Sequence, residues 1–130
     1  MTSYPAHLAH EGIWEGTYRH VDADGNLEAT FRSRVTCEFP QEDGVFYRQT
    51  AELFAEDGTC TKASYDGVDK GGHLYYDAPT FFGKSWETED GQLLLNLTRR
   101  DEPGAYFIEI IIMGEGGKHR ARTWHWFKDG

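Results

Sequence analysis

The sequence lacks the residues that several classes of protein need. Its 130 residues include two cysteines, Cys37 and Cys60, and no Cys-x-x-Cys pair, so neither a zinc finger nor a disulfide-rich scaffold is expected. No apolar run is long enough to span a membrane, and the N-terminus lacks the basic start and apolar centre of a secretory signal. The default expectation is therefore a cytoplasmic protein with both cysteines reduced.

Positive charge is also scarce. The chain has 13 Lys and Arg against 22 Asp and Glu, which gives a net charge of −9. A nucleic acid or an anionic membrane needs a basic face on its partner, so neither is expected. Motifs for cradling phosphates, for binding dinucleotides and for zinc-dependent proteolysis are missing as well. We therefore expect no metal and no cofactor.

What the chain does contain is glycine, aromatic residues and regularly spaced turn signals. It has 15 glycines and 15% aromatic residues, a composition that favours strands and tight turns over helices. Most of the turn signals contain Asp-Gly or Gly-Gly, which supply the positive φ angles of tight hairpins. The glycine-containing turn segments are 22–26, 41–44, 56–58, 69–72, 89–91, 101–104 and 114–117.

The segments between these turns predict an all-β fold. They are short and rich in β-branched and aromatic residues, so we expect about nine consecutive antiparallel strands. A meander of this kind exposes two long edges unless it closes on itself. Residues 1–130 are therefore predicted to form a single domain, an up-and-down meander closed into a barrel. One or two helical turns at 4–11 are the nearest approach to a helix.

Alternation along the strands predicts which residues face the interior in the second half of the chain. We assume a two-residue loop at 90–91 and hairpin turns at 101–104 and 114–117. The more aliphatic face is then inside, and Glu109 and Arg122 form an ion pair on the outer face. The predicted inward set is Trp86, Leu93, Leu95, Leu97, Ile108, Ile110 and Ile112, together with Tyr106, Thr123 and His125.

The same reasoning applies to the first half. A two-residue loop at 24–25 pairs Trp14 with Val35 and His20 with Ala29. Residues 73–77 leave two choices, with either His73, Tyr75 and Asp77 or Leu74 and Tyr76 inside. The remaining predicted inward set is Trp14, Tyr18, His20, Phe31, Tyr47, Gln49 and Tyr65.

The segment Gly-Ile-Trp at 12–14, at the head of the first strand, resembles the start of lipocalins and related calycin barrels. In that superfamily the tryptophan plugs the base of the barrel, and an arginine from the last strand packs across it. The candidate arginines are Arg120 and Arg122, although the predicted register puts both on the outer face. The resemblance implies a closed barrel that binds a small apolar molecule in its interior.

Binding of an aromatic or hydrophobic small molecule is the first functional hypothesis, because aromatic walls with a few polar groups suit such a ligand. The predicted ligand-binding residues are Trp14, Phe31, Tyr47, Gln49, Tyr65 and Trp86. An alternative is a cofactor-free lyase, isomerase, hydratase or cyclase with a histidine general base. Its candidate pairs of base and acid are His125 with Tyr106 and His20 with Tyr18. A third hypothesis is haem binding through one inward histidine.

Two further questions stay open from the sequence. The inward aromatic residues could fill the barrel as a solid core instead of lining a cavity. Phe107, Trp124 and Trp126 fall on the predicted outer face, where large aromatic residues suggest a covered surface. A homodimer through these three residues is therefore expected.

Overall fold

The computed structural model describes residues 4–128, which form nine antiparallel strands, one short α-helix and a 3₁₀ turn at Glu115–Gly117. The ends of the predicted domain therefore lie outside the described residues. Each strand is hydrogen-bonded to the next one along the chain, and the sheet curls through 288° into a half-barrel that is only slightly open. The all-β meander is thus confirmed. The elements are α1 (Pro5–Leu8), β1 (Gly12–Val21), β2 (Leu27–Glu38), β3 (Tyr47–Ala55), β4 (Cys60–Asp69), β5 (Leu74–Asp77), β6 (Phe81–Glu87), β7 (Leu93–Arg99), β8 (Ala105–Met113) and β9 (Arg120–Lys128).

The first hairpin keeps the predicted register although its loop is longer than predicted. The backbone N–H of Asp22 donates to the carbonyl of Asn26 at 2.9 Å, so residues 23–25 form the tip of the turn. A β-bulge beside His20 and Val21 offsets the additional loop residue. The predicted pairs Trp14–Val35, Gly16–Ser33, Tyr18–Phe31 and His20–Ala29 are therefore confirmed.

The hairpin between β6 and β7 departs from the predicted register. The backbone N–H of Thr88 donates to the carbonyl of Gln92 at 2.9 Å, so this loop is also one residue longer than predicted, and no bulge corrects it. Trp86 consequently pairs with Leu94 instead of Leu95. Its predicted inward position is wrong, because Ser85 takes the buried place on this strand.

The turn after β7 then reverses the predicted faces of β8 and β9. Leu95 lies opposite Glu109, so Glu109 faces inward in place of the predicted Ile110. The buried residues of β8 are Ala105, Phe107, Glu109 and Ile111, and the isoleucines at 108, 110 and 112 point outward. Because β9 alternates in step with β8, its inward residues are Arg120, Arg122, Trp124 and Trp126. The predicted inward positions of Tyr106, Thr123 and His125 are therefore wrong, and so is the outward position of the Glu109–Arg122 pair.

One end of the half-barrel is filled by side chains and covered by α1. Leu74 and Tyr76 point into this core, which settles the open question about β5. Gly67 gives the Tyr76 ring its space, because a Cβ atom there would lie 2.9 Å from Tyr76 Cε1. We call this region the closed end. Within residues 4–128, no helix is both long enough and apolar enough to cross a membrane.

Candidate functional site

The candidate site is the slot between β1 and β9, the two strands at the ends of the sheet order. Two adjoining clefts lie along this slot and share Thr17, Tyr18 and Arg122 in their linings. The lower cleft, beside Trp14 and Arg120, has a volume of about 370 Å³. The upper cleft, lined by Tyr18, His20, Trp124 and Trp126, has a volume of about 640 Å³. Both volumes are typical of small-molecule sites.

The walls of the upper cleft are aromatic. Tyr18 and Trp124 meet edge to face across the slot, with their ring centroids 4.6 Å apart. The imidazole of His20 packs 5.3 Å from the ring of Phe31, and Trp126 extends the wall with a largely exposed indole. Rings held in this way offer broad apolar contact to a planar molecule.

A buried ion pair lies behind these rings. Arg122 Nε donates to Glu109 Oε2 at 2.5 Å, and the two side chains are 7% and 2% exposed. Arg122 Nη1 also donates to the Tyr18 hydroxyl at 2.9 Å, which links β8 and β9 to β1. Burial opposes the charged form of Arg122, but the Glu109 carboxylate outweighs it and raises the arginine's pKa well above its usual value. The pair therefore stays ionised, and the hydrogen bond from Arg122 to Tyr18 joins the two sides of the slot.

The lower cleft contains a second arginine in different surroundings. The guanidinium of Arg120 lies 4.8 Å from the ring centroid of Trp14, as a cation–π contact. Its Nη1 donates to Nδ1 of His10 at 3.1 Å. Within residues 4–128, no carboxylate forms an ion pair with Arg120 or with the neighbouring Lys118. Burial, with a further contribution from Arg122, lowers the pKa of Arg120.

His10, the partner of Arg120, has an unsatisfied donor on the other side of its ring. Its side chain is 2% exposed, and burial followed by the Arg120 charge lowers its pKa to about 4. Because Nδ1 accepts from Arg120, we assign the proton of the neutral ring to Nε2. That atom has no hydrogen-bond partner among the described residues. The ring faces a small internal cavity that Arg120 also lines.

The closed end contains a further polar cluster, with the hydrogen-bond order of a serine–histidine–carboxylate triad. His7 Nε2 lies 3.0 Å from Ser85 Oγ, and His7 Nδ1 lies 2.7 Å from Glu87 Oε2. Ser85 and His7 are both buried, and the cavity beside them has a volume of about 20 Å³, room for a single water molecule. The cluster therefore fixes α1 on β6 and offers no space for a substrate.

The structure brings together the predicted site residues of the first half of the chain. Tyr18 and His20 line the slot, and Trp14 forms its lower wall. Further inside, the Tyr47 hydroxyl donates to Gln49 Oε1 at 2.7 Å, and Gln49 Nε2 donates to the Tyr65 hydroxyl. Burial raises the pKa of the Tyr47 and Tyr65 hydroxyls, so both remain protonated. These three residues belong to the packed interior.

The predicted site residues of the second half are not brought together with them. Tyr106 stacks on Phe127 on the outer face, with ring centroids 4.9 Å apart, and His125 is exposed on the same face. The His125–Tyr106 pair therefore does not face the slot. The predicted outward position of Phe107, Trp124 and Trp126 is wrong, because all three lie on the inner side, and a homodimer stays a prediction.

No ligand contact was predicted from the sequence for Lys118 and Arg120, the residues that give the lower cleft its positive charge. The available signal was the resemblance itself, which places an arginine of the last strand against Trp14. That expectation disagrees with the predicted register, which puts both candidate arginines on the outer face, and the sequence leaves open which of the two is wrong. Arg120 is the arginine that makes the contact.

Family models and curated proteins give no guide to the function. No family model matches the chain, and no curated protein matches it either. Among residues 4–128, no group of three or more His, Cys, Asp and Glu side chains is placed to hold a metal ion. The function must therefore be inferred from the geometry and chemistry of the slot.

Proposed function

We propose that this protein binds an aromatic or otherwise hydrophobic small molecule in the slot between β1 and β9. The observation that carries the proposal is the upper cleft of about 640 Å³ with Tyr18, Trp124 and Trp126 as its walls. A space of this size, bordered by large rings and a few polar groups, suits a planar apolar ligand. The closed end is filled, so the ligand enters the slot and not a central cavity.

We further propose that the fold is a lipocalin-like barrel. The contact between Arg120 and Trp14, with 4.8 Å between the guanidinium and the ring centroid, is the one that the resemblance implies. The helix α1 covers the same end of the barrel, and Trp14 Nε1 donates to the His10 carbonyl at 2.8 Å just beyond it. A base closed in this way supports a ligand site higher in the barrel.

Binding is favoured over catalysis by the positions of the candidate groups. His125 and Tyr106 lie on the outer face, away from the slot. His20 and Tyr18 do face the upper cleft, but the Tyr18 hydroxyl accepts a hydrogen bond from Arg122 Nη1 at 2.9 Å. Because the guanidinium already binds this hydroxyl, we assign Tyr18 a structural role and not that of a catalytic acid.

The proposal can be tested with the uncharged fluorophore N-phenyl-1-naphthylamine. We expect saturable binding with a blue-shifted emission, and an affinity about tenfold lower for Trp124→Ala, which removes one aromatic wall. Trp86→Ala is the matched control, because that indole lies on the outer face. Absence of binding to the wild type, or an equal loss in the two variants, would overturn the proposal.

A further inference from the structure

We propose that the ligand of the slot carries an anionic group, a carboxylate or sulfonate, which Arg120 and Lys118 bind in the lower cleft. This inference rests on the proposed function, because it names the chemical class of the same ligand. The apolar part would occupy the upper cleft, and the charged group would point toward α1. Three observations on the charge, the solvation and the hydrogen bonding of the lower cleft support it.

The first observation is the local charge. The chain as a whole has a net charge of −9, yet the lower cleft is lined by Lys118, Arg120 and Arg122 with Glu15 as its acidic residue. Arg122 is neutralised by Glu109, and Glu15 pairs with Arg34 on the outer surface at 3.0 Å. The remaining positive charge in the lower cleft therefore belongs to Lys118 and Arg120.

The second observation is the solvation of Arg120. This side chain is partly buried, and a guanidinium does not lose its proton at physiological pH. Removing the charge from water has a cost that the Trp14 ring offsets only in part. A carboxylate or sulfonate would offset it further, because both present oxygen atoms that a guanidinium binds through charge-assisted hydrogen bonds.

The third observation is an excess of hydrogen-bond donors. Among residues 4–128, the hydrogen bonds of the Arg120 side chain involve Nη1 alone, with His10 Nδ1 and with Cys37 Sγ at 3.9 Å as acceptors. The Nε and Nη2 groups of Arg120 have no acceptor among these residues. An anionic group supplies acceptors without adding a donor, so it corrects this imbalance more directly than a neutral alcohol.

The decisive experiment compares two fluorophores with the same skeleton. N-phenyl-1-naphthylamine is uncharged, and 8-anilinonaphthalene-1-sulfonate adds one sulfonate to it. We expect Arg120→Met to weaken binding of the sulfonate about tenfold while changing the affinity for the neutral probe by less than about twofold. Lys118→Gln should weaken sulfonate binding about threefold, because a lysine in a solvent-accessible cleft is more strongly screened. Lys62→Gln, which removes an exposed charge on β4, is the control and should change neither affinity.

The outcomes separate the two proposals. If neither probe binds the wild type, the proposed function fails and this inference fails with it. If both probes bind but the charge variants affect them equally, or affect neither, only the anionic group is disproved. Circular dichroism checks that Arg120→Met folds. If it does not fold, Lys118→Gln and Arg120→Lys decide the question through the affinity for the sulfonate relative to the neutral probe. The proposal is supported if this relative affinity falls in Lys118→Gln and is retained in Arg120→Lys. Unchanged selectivity in Lys118→Gln would then overturn it.

Discussion

The closed end and the slot use similar polar side chains, but they differ in how those side chains are paired. At the closed end, hydrogen bonds run from Tyr76 through Ser85 and His7 to Glu87, over distances of 2.7, 3.0 and 2.7 Å. Each of these buried groups has a partner, as expected of polar residues in a core. Arg120, which borders the lower cleft, has donors at Nε and Nη2 for which the described residues provide no acceptor. A saturated network stabilises the fold, and an unsaturated one beside an accessible cleft is suited to a ligand.

The two regions also differ in their backbone. Strands of the closed end have hydrogen-bonded neighbours on both sides, whereas β1 and β9 each have one. Unpaired strand edges would separate easily, so the side chains across the slot must supply the connection. The hydrogen bond from Arg122 to Tyr18 does this, and the buried ion pair with Glu109 of the neighbouring strand holds the guanidinium in place. The slot is therefore held by a few side-chain contacts, whereas the strands of the closed end are held by backbone hydrogen bonds on both sides.

The largest expected effect comes from breaking the buried ion pair. Glu109→Gln leaves the Arg122 charge buried without its carboxylate, and we expect the free energy of unfolding to fall by about 3–5 kcal/mol. Urea denaturation followed by tryptophan fluorescence measures this loss. Trp124 lies beside Arg122, so its emission should also change at urea concentrations below the global unfolding transition.

The matched control for this variant is Glu15→Gln. Glu15 forms the same type of pair with Arg34, but the side chains are 65% and 51% exposed. A solvent-exposed pair contributes no more than about 1 kcal/mol, so we expect a loss below that value. Comparable losses in the two variants would mean that the ion pair behind the slot has no special stabilising role.

The next largest expected effect is a loss of folding stability on acidification. Burial and the Arg120 charge lower the pKa of His10 from 6.5 to about 4. Between those two values the unfolded chain binds a proton that the folded protein does not, so stability is fully present above pH 6.5 and is lost as the pH falls toward 4. We expect His10 to account for about 3 kcal/mol of this loss.

Urea denaturation at a series of pH values from 7 to 4 measures the effect. His10→Gln removes the titrating group and should flatten the dependence of the unfolding free energy on pH. Burial also lowers the pKa of His7, so a shallower slope of the same sign should persist in this variant. Parallel curves for the wild type and His10→Gln would contradict the assignment.

The strand order and the facing of the first half could be predicted from the sequence, because turn residues and alternation are local properties. The predicted pairing of Trp14 with Val35 is confirmed, but only because two features that were not predicted cancel each other. The loop at 23–25 is longer than predicted, and the bulge beside His20 and Val21 restores the register. Neither feature could be inferred from residue types alone.

The facing of β6, β8 and β9 was predicted wrongly, because it depended on the lengths of two turns, the one before β7 and the one after it. Gly91 adopts a φ of 82°, which suits an Asp-Gly hairpin loop of two residues as well as one of three. The extra residue turns Trp86 outward, and the next turn places Glu109 inside, against the preference for an aliphatic interior. Burial of Glu109 is tolerated because Arg122 arrives from another strand, a compensation that no single-strand pattern reveals.

The smallest expected effect comes from removing the hydrogen bond that crosses the slot. Within residues 4–128, Arg122 Nη1 to the Tyr18 hydroxyl is the one side-chain hydrogen bond that joins β1 to β9. Tyr18→Phe removes it but keeps the edge-to-face contact with Trp124, so we expect a loss of about 1 kcal/mol in unfolding free energy. Tyr106→Phe is the control, because that hydroxyl has no hydrogen bond among the described residues, and it should cost nothing measurable. If the bond matters, amide exchange in β1 should accelerate in Tyr18→Phe alone. Equal exchange in the two variants would show that ring packing, and not the hydrogen bond, holds the edges of the slot together.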